Sequence, residues 1–236
     1  MSVTLVLGAC GGAGTTTTSV GLANALSLHG KSVVVVDATV GGGDLVERAA
    51  DNTVTAATVE SGYVGVELST TSTGAQVLGR AWPDSIDPDF GRLDWHLTCT
   101  TDAAIYDFGH GSVERDSANP LRSGPSAAVV LVVPARPDAV RRSRAALHTI
   151  GLAAGEKALR RTTVVVAHCT PGPNTSAVDD VRRDLDRVFD VLEVPYDPHL
   201  SSGSTVTAAD LSPSTTQAYE RILTSNIRSV WGTLSA

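Results

Sequence analysis

Gly8-Ala9-Cys10-Gly11-Gly12-Ala13-Gly14-Thr15-Thr16-Thr17-Thr18 is the stretch of this 236-residue chain whose residue types and spacing speak most directly of chemistry. Glycines at this density let successive backbone N–H groups converge on the oxygens of a phosphate. A helix beginning at the threonines adds the positive end of its dipole. The implied chemistry is recognition of a phosphate chain through Gly11, Gly12, Ala13, Gly14, Thr15, Thr16 and Thr17, with the Thr16 hydroxyl available to Mg2+. The usual phosphate-loop signature, G-x-x-x-x-G-K-[ST], also carries a lysine for the β- and γ-phosphates. Here Gly14 and Thr16 stand in place, Thr15 occupies the lysine position and Ala9 replaces the opening glycine. The spacing describes a cradle without its cation.

Such a loop works between a strand and a helix, and the chain supplies both. Short β-branched runs alternate with helical stretches, the pattern of a parallel sheet covered on both faces. Strands are predicted over Val3–Leu7, Ser32–Val36, Ala103–Tyr106, Ala127–Val133 and Thr162–Ala167, with a weaker one near Phe189–Val194. Helices are predicted over Thr16–Leu28, stopping at Gly30, and over Ala139–Leu152, Val178–Val188 and Thr216–Trp231. The last carries Ile222, Leu223, Ile227, Val230 and Trp231 on an apolar side, suited to docking on the core or on a partner. The stretch 51–101, rich in Thr, Ser, Gly and Asp, reads as short elements and loops within a single domain spanning 1–236.

Composition sets the class. Hydrophobic residues at 42% and charged residues at 18% describe a globular chain, not a disordered one. A net charge of −7 argues against general adhesion to nucleic acid or anionic membrane. Cys10, Cys99 and Cys169 are scattered and form no zinc spacing, as in a reducing cytoplasm. The chain shows neither a secretory leader nor an apolar run of the roughly 20 residues that span a bilayer. A cytoplasmic protein is expected.

The glycine loop resembles the deviant phosphate loop of the ParA/MinD family, KGGxGK[ST]T. Gly11, Gly12, Gly14, Thr16 and Thr17 match it; Cys10 falls on the family's signature lysine and Thr15 on the ordinary loop lysine. The resemblance continues in order. Asp37-Ala38-Thr39 is similar to the DxD segment, with Thr39 at the water-orienting carboxylate. Ala104-Ile105-Tyr106-Asp107-Phe108-Gly109 is similar to the Walker B strand, which would place Asp107 near Mg2+. Ala167 and His168 stand where an adenine-contacting asparagine is usual, and Val194-Pro195-Tyr196-Asp197-Pro198 resembles the family's late segment beside the base. The resemblance implies a P-loop NTPase three-layer sandwich. It also implies ATP or ADP with Mg2+ at Gly11–Thr17, Asp37, Pro195 and Tyr196, with Thr16 and Asp107 facing the metal. Losing one preorganised contact to developing charge costs on the order of 10²–10³ in rate. Cys10, Thr15 and Thr39 together predict hydrolysis that is very slow or absent, and no catalytic residue is assigned. Nucleotide binding at lowered affinity and outright loss of binding both stay open.

Gly43-Asp44-Leu45 and the lysine-free loop are similar to the CpaE/TadZ-like proteins of Tad pilus assembly and to septum-site-determining relatives. That branch implies a scaffold that marks a cell pole or septum and recruits pilus, septum or secretion machinery as a homodimer. Alternatives are a slow ATPase with charge supplied by an arginine, and a regulatory pseudo-ATPase in a heterodimer with an active ParA-like partner in partitioning, conjugation or secretion. Between Arg136 and Arg161, seven basic residues (Arg136, Arg141, Arg142, Arg144, Lys157, Arg160 and Arg161) face two acidic ones, Asp138 and Glu156, leaving +5. A solvated helix face is one reading; a docking surface for DNA or an acidic partner is the other. His110, just past Asp107-Phe108-Gly109, reads either as a surface-loop histidine or as a residue facing the γ-phosphate.

Overall fold

Alternation along the apolar runs decides which core each side chain enters. In β1 (Ser2–Gly8), Leu5 and Leu7 enter the core beneath one face of the sheet and Val6 the core beneath the other. The same holds in β2 (Val33–Asp37), where Val34 and Val36 are separated from Val33 and Val35. Strands buried on both faces need helices on both faces. The computed structural model describes residues 2–39, 43–50, 69–79, 90–110, 121, 127–172 and 175–231.

In chain order α1 (Thr15–Leu28) follows β1, and α2 (Leu45–Ala49), β3 (Ser69–Thr70), β4 (Gln76–Leu78) and α3 (Phe90–Thr98) follow β2. Next come β5 (Ala103–His110), β6 (Ala128–Pro134), α4 (Ala139–Leu159), β7 (Thr162–Ala167), α5 (Thr175–Asp184) and β8 (Asp190–Val194). The short α6 (Pro198–Ser201), a 3-10 turn at Ala208–Asp210 and α7 (Pro213–Trp231) complete the described chain. The eight strands form one sheet in the order β3-β4-β2-β5-β1-β6-β7-β8, and all neighbours are parallel except β3 and β4. One face is covered by α3, α4 and α5, through residues such as Phe90, Leu93, Leu147, Ile150 and Val181. The other is covered by α1, α2 and α7, through Val20, Leu22, Leu45, Tyr219 and Ile222. Helices on both faces of a parallel sheet are the predicted fold class.

Boundaries moved where tertiary contacts overrode local pattern. The helix predicted over Ala139–Leu152 runs on to Leu159, across a break at Gly155 (φ 76°). The extra turn folds back so that Leu159 Cδ1 lies 3.2 Å from where a Cβ on Gly151 would sit. The helix predicted over Val178–Val188 lies earlier, at Thr175–Asp184, because the Phe189 N–H already donates to Thr162 O (2.9 Å) and draws the chain into β8. Within 51–101, β3, β4 and α3 are the short elements; residues 51–68 and 80–89 lie outside the described residues.

The final helix docks on the core, with Ala218, Tyr219 and Ile222 buried and Ile227 left exposed. Its seat is specific. A Cβ on Gly21 of α1 would lie 2.4 Å from the Tyr219 ring, which is itself fully enclosed. Helix propensity alone would make Gly21→Ala stabilising by up to about 1 kcal/mol. The enclosed ring reverses the sign: Gly21→Ala is expected to destabilise by about 2–3 kcal/mol in urea unfolding. A neutral or stabilising result would show that α7 does not pack this closely.

Candidate functional site

The loop after β1 occupies the one place in the sheet where the chain turns outward on both sides. β1 pairs with β5 on one side and β6 on the other, and ligands of open α/β sheets bind beyond the carboxyl ends at such a switch point. Gly12 (φ 68°) and Gly14 (φ 91°) adopt left-handed backbone that side chains disfavour. Gly14 caps α1 with no side-chain hydrogen bond, and the first helical bond runs from the Thr18 N–H to Gly14 O (2.9 Å). The amides ahead of Thr18 are therefore left without acceptors inside the helix, and no acidic side chain lies in the first turn. A cavity of about 670 Å³ opens over this end, lined by Cys10 through Thr18 and reaching Thr39, Asp44, Ala167, His168, Pro195 and Tyr219. That is the size of a small-molecule site.

Behind the loop sits a knot of carboxylates. Thr16 Oγ1 donates to Asp44 Oδ1 (2.7 Å). Asp107 is fully buried at the middle of the sheet; its Oδ1 accepts from the Gly109 N–H (3.1 Å), and its Oδ2 has no hydrogen-bond partner. Burial pushes the Asp107 carboxyl up to about 7; the Thr16 hydroxyl and the Gly109 N–H oppose this, and the carboxylates of Asp37 and Asp44 reinforce it. Among the described residues no group of three or more His, Cys, Asp or Glu is placed to hold a metal unaided. A Mg2+ held by phosphate oxygens, waters and one hydroxyl needs no such group. The orphaned Asp107 oxygen and Thr16 fit that arrangement, as the positive-φ glycines fit a phosphate chain.

Not every predicted residue reaches the cavity. Gly11, Gly12, Ala13, Gly14, Thr15, Thr16, Thr17 and Pro195 line it. Asp37 lies a layer deeper: it accepts from the Thr39 N–H (2.9 Å), and a Cβ on Gly43 would come within 2.8 Å of both its oxygens. Tyr196 also turns aside, its hydroxyl accepting from Ser201 Oγ (3.2 Å). Thr39 spends its hydroxyl on Asp107 O (3.4 Å), so it offers no base to a water. His110 ends β5 and lines the cavity, with Nδ1 at 3.4 Å from Gly8 O. His168 also lines it, its Nε2 lying 2.8 Å from Glu193 Oε1 in a direction that makes no hydrogen bond. The neighbouring Asp197 is buried, yet the Ser212 N–H, the Thr215 hydroxyl and the His199 N–H outweigh burial and hold its carboxyl below the ordinary range.

Sequence reasoning did not place Asp44 or Arg48 in the cavity. Asp44 was visible only as part of Gly43-Asp44-Leu45, with nothing to tie it to Thr16. Arg48 sits on α2, 30 residues beyond Thr18, and carried no local signal. Four of the seven cations of the basic stretch are engaged in ion pairs. Arg141 and Arg142 pair with Asp138 (3.3 and 2.6 Å), Arg160 with Glu156 (3.5 Å) and Arg144 with Asp184, a carboxylate of α5 outside the stretch. These are pairs of a solvated surface.

A glycine loop at the switch point of this sheet, with a buried aspartate on the strand next to the one that leads into it, defines the fold of the ParA/MinD-type P-loop NTPases. The chain superposes on the ParA family ATPase from Chlorobium tepidum TLS with a TM-score of 0.71, at 17% identity over 94% of this chain and 97% of that one. It superposes equally on the cell-division ATPase MinD of Pyrococcus furiosus, at a TM-score of 0.71 and 18% identity over 96% and 98%. The cobyrinic acid a,c-diamide synthase of Mycobacterium smegmatis, solved with an ATP analogue and magnesium, gives 0.67 at 18% identity over 97% and 94%. In sequence, the chain is 25% identical over 225 residues to the ESX-1 secretion-associated protein EspI of Mycobacterium tuberculosis. That match covers 88% of this chain but 34% of EspI, so the chain spans about a third of the relative's length. No family model matches the chain. Among the described residues, no helix is long and apolar enough to cross a membrane.

Proposed function

We propose that the chain is a nucleotide-linked scaffold, a single ParA/MinD-like domain that holds Mg-ATP or Mg-ADP and hydrolyses it barely or not at all. One observation carries the reading. The cavity keeps a complete backbone cradle while Cys10 and Thr15 leave it without a lysine, and Thr39 has given its hydroxyl to the backbone. Gly11 through Thr17 would hold the phosphates, Thr16 the metal directly and Asp107 the metal's waters. Bound Mg2+ would supply neutralisation of the phosphate charge. Pro195 and His168 would flank the base. With charge stabilisation removed where it matters in phosphoryl transfer, binding is what remains to read out.

The similarity to EspI directs the scaffold towards secretion machinery ahead of a pilus or septum, with a homodimer or a lysine-bearing ParA-like partner as its assembly. A second reading is a slow ATPase with charge supplied by an arginine of its own or of a partner. Calorimetry with Mg-ATP and Mg-ADP, beside Asp107→Ala and with light scattering on the same samples, separates the cases. Micromolar binding, weakened in Asp107→Ala, with negligible phosphate release is the expected result. Asp107-dependent turnover would establish the slow ATPase instead, and no binding at millimolar nucleotide would end the nucleotide reading.

A further inference from the structure

We infer that Arg48 is the cation with which this cavity recognises a phosphate group, in a cradle that has no loop lysine. Among the described residues lining the cavity it is the one lysine or arginine. It is 6% exposed, and no carboxylate lies within ion-pair distance of it among those residues. Its partners are neutral oxygens: Nη2 donates to Leu200 O (2.9 Å) and Thr17 Oγ1 (3.4 Å), and Nη1 donates to Ser204 O. These solvate the guanidinium and fix its plane without cancelling its charge. Of its five N–H groups, the Nε–H and one on Nη1 remain without a protein acceptor among the described residues.

The setting makes that charge unusual. Thr17 lies in the first turn of α1, whose uncapped amides already present positive potential, and no acidic residue stands in that turn. A buried guanidinium beside a helix N-terminus is two like potentials side by side, a costly arrangement until an anion enters. The other titratable groups in the cavity wall do not supply it. Asp44, hydrogen-bonded to Thr16, and Asp197, hydrogen-bonded to Ser212 and His199, lie beyond ion-pair distance of Arg48, and Tyr219 and the histidines carry no fixed negative charge. Arg48 meets Thr17 at the end of the loop nearest Leu200 and Ser204, the segment that follows Pro195. The phosphate it takes is therefore the one nearest the nucleoside. This assignment rests on the nucleotide reading of the cavity.

Calorimetry on Arg48→Gln and Arg48→Lys tests it, with Mg-ADP, Mg-ATP and adenosine as ligands and inorganic pyrophosphate as a nucleoside-free probe. The expected result is a loss of about 10- to 100-fold in affinity for both nucleotides in Arg48→Gln, by the same factor for each. Arg48→Lys restores part of it, and adenosine is unaffected. Unchanged nucleotide affinity in a folded Arg48→Gln protein overturns the inference and leaves the nucleotide reading standing. Equal loss for adenosine also overturns it, because that marks a structural bridge between α1, α2 and the Leu200 segment. Should wild type bind no nucleotide, Arg48-dependent binding of pyrophosphate still supports an anion site, and its absence overturns both.

Discussion

Thr15→Lys is expected to tighten Mg-ATP binding about tenfold or more and to raise phosphate release on the order of 10²–10³ over wild type. Thr15 opens α1, is nearly enclosed and lines the cavity, so a longer cationic side chain from this position has the cavity itself to extend into. Its root is held against β1: a Cβ on Gly8 would meet Thr15 Oγ1 at 2.5 Å, so only the glycine there allows the approach. Thr15→Met, of similar length and no charge, separates packing from electrostatics and should gain neither affinity nor rate. Calorimetry gives the first quantity and phosphate release under single-turnover conditions the second. If wild type already turns over as fast as Thr15→Lys, charge is reaching the phosphates from another residue and the slow-ATPase reading takes precedence. If Thr15→Lys binds tightly without turnover, the losses at Cys10 and Thr39 are sufficient by themselves to stop the chemistry.

The second large effect is on stability. Asp107 ionises at about 7 in the fold against an ordinary value of 3.8. Between those two pH values the folded chain keeps a proton that the unfolded chain has released, so stability of the metal-free protein falls as pH rises from about 4 to about 7. Above that window the carboxylate is buried and ionised with one oxygen unpartnered. Asp107→Asn removes the charge. In EDTA at pH 8 it is expected to stabilise the protein by roughly 1–3 kcal/mol, below the ceiling of about 4 kcal/mol that the full displacement represents. At pH 4.5, where wild type is largely protonated, the two proteins should nearly coincide. Urea unfolding at the two pH values checks this. Parallel pH dependence in wild type and Asp107→Asn would show that another group governs the slope. Stabilisation by Mg-nucleotide should run the other way, present in wild type and weakened in Asp107→Asn.

The two results bear on one question, which parts of a phosphate site persist when its lysines are gone. A protein that accepts Thr15→Lys as a gain and Asp107→Asn as relief would be one whose cradle and metal end are intact and whose fold still bears their cost.

Much of this was legible in the chain. Val33–Val36, Val129–Val133 and Val164–Ala167 are continuous apolar runs, as suits strands covered on both faces, so the parallel sheet and its helical layers followed from pattern. Gly11, Gly12 and Gly14 placed the cradle for an equally local reason, since glycine density before a helix start has few other uses. The empty lysine positions were legible in the same way, as identities at known spacing. What the sequence could not decide depends on contacts between distant segments. Asp37 and Tyr196 carried the right spacing, but Gly43 folds over the first and Ser201 draws the second aside. The +5 stretch gave no sign that α5 would bring Asp184, a carboxylate from outside it, against Arg144. Arg48 had no motif at all. It belongs to the cavity because α2 packs beside α1 and the Leu200 segment closes over both, and burial and electrostatic neighbourhood are properties of that packing, absent from any local string of residues.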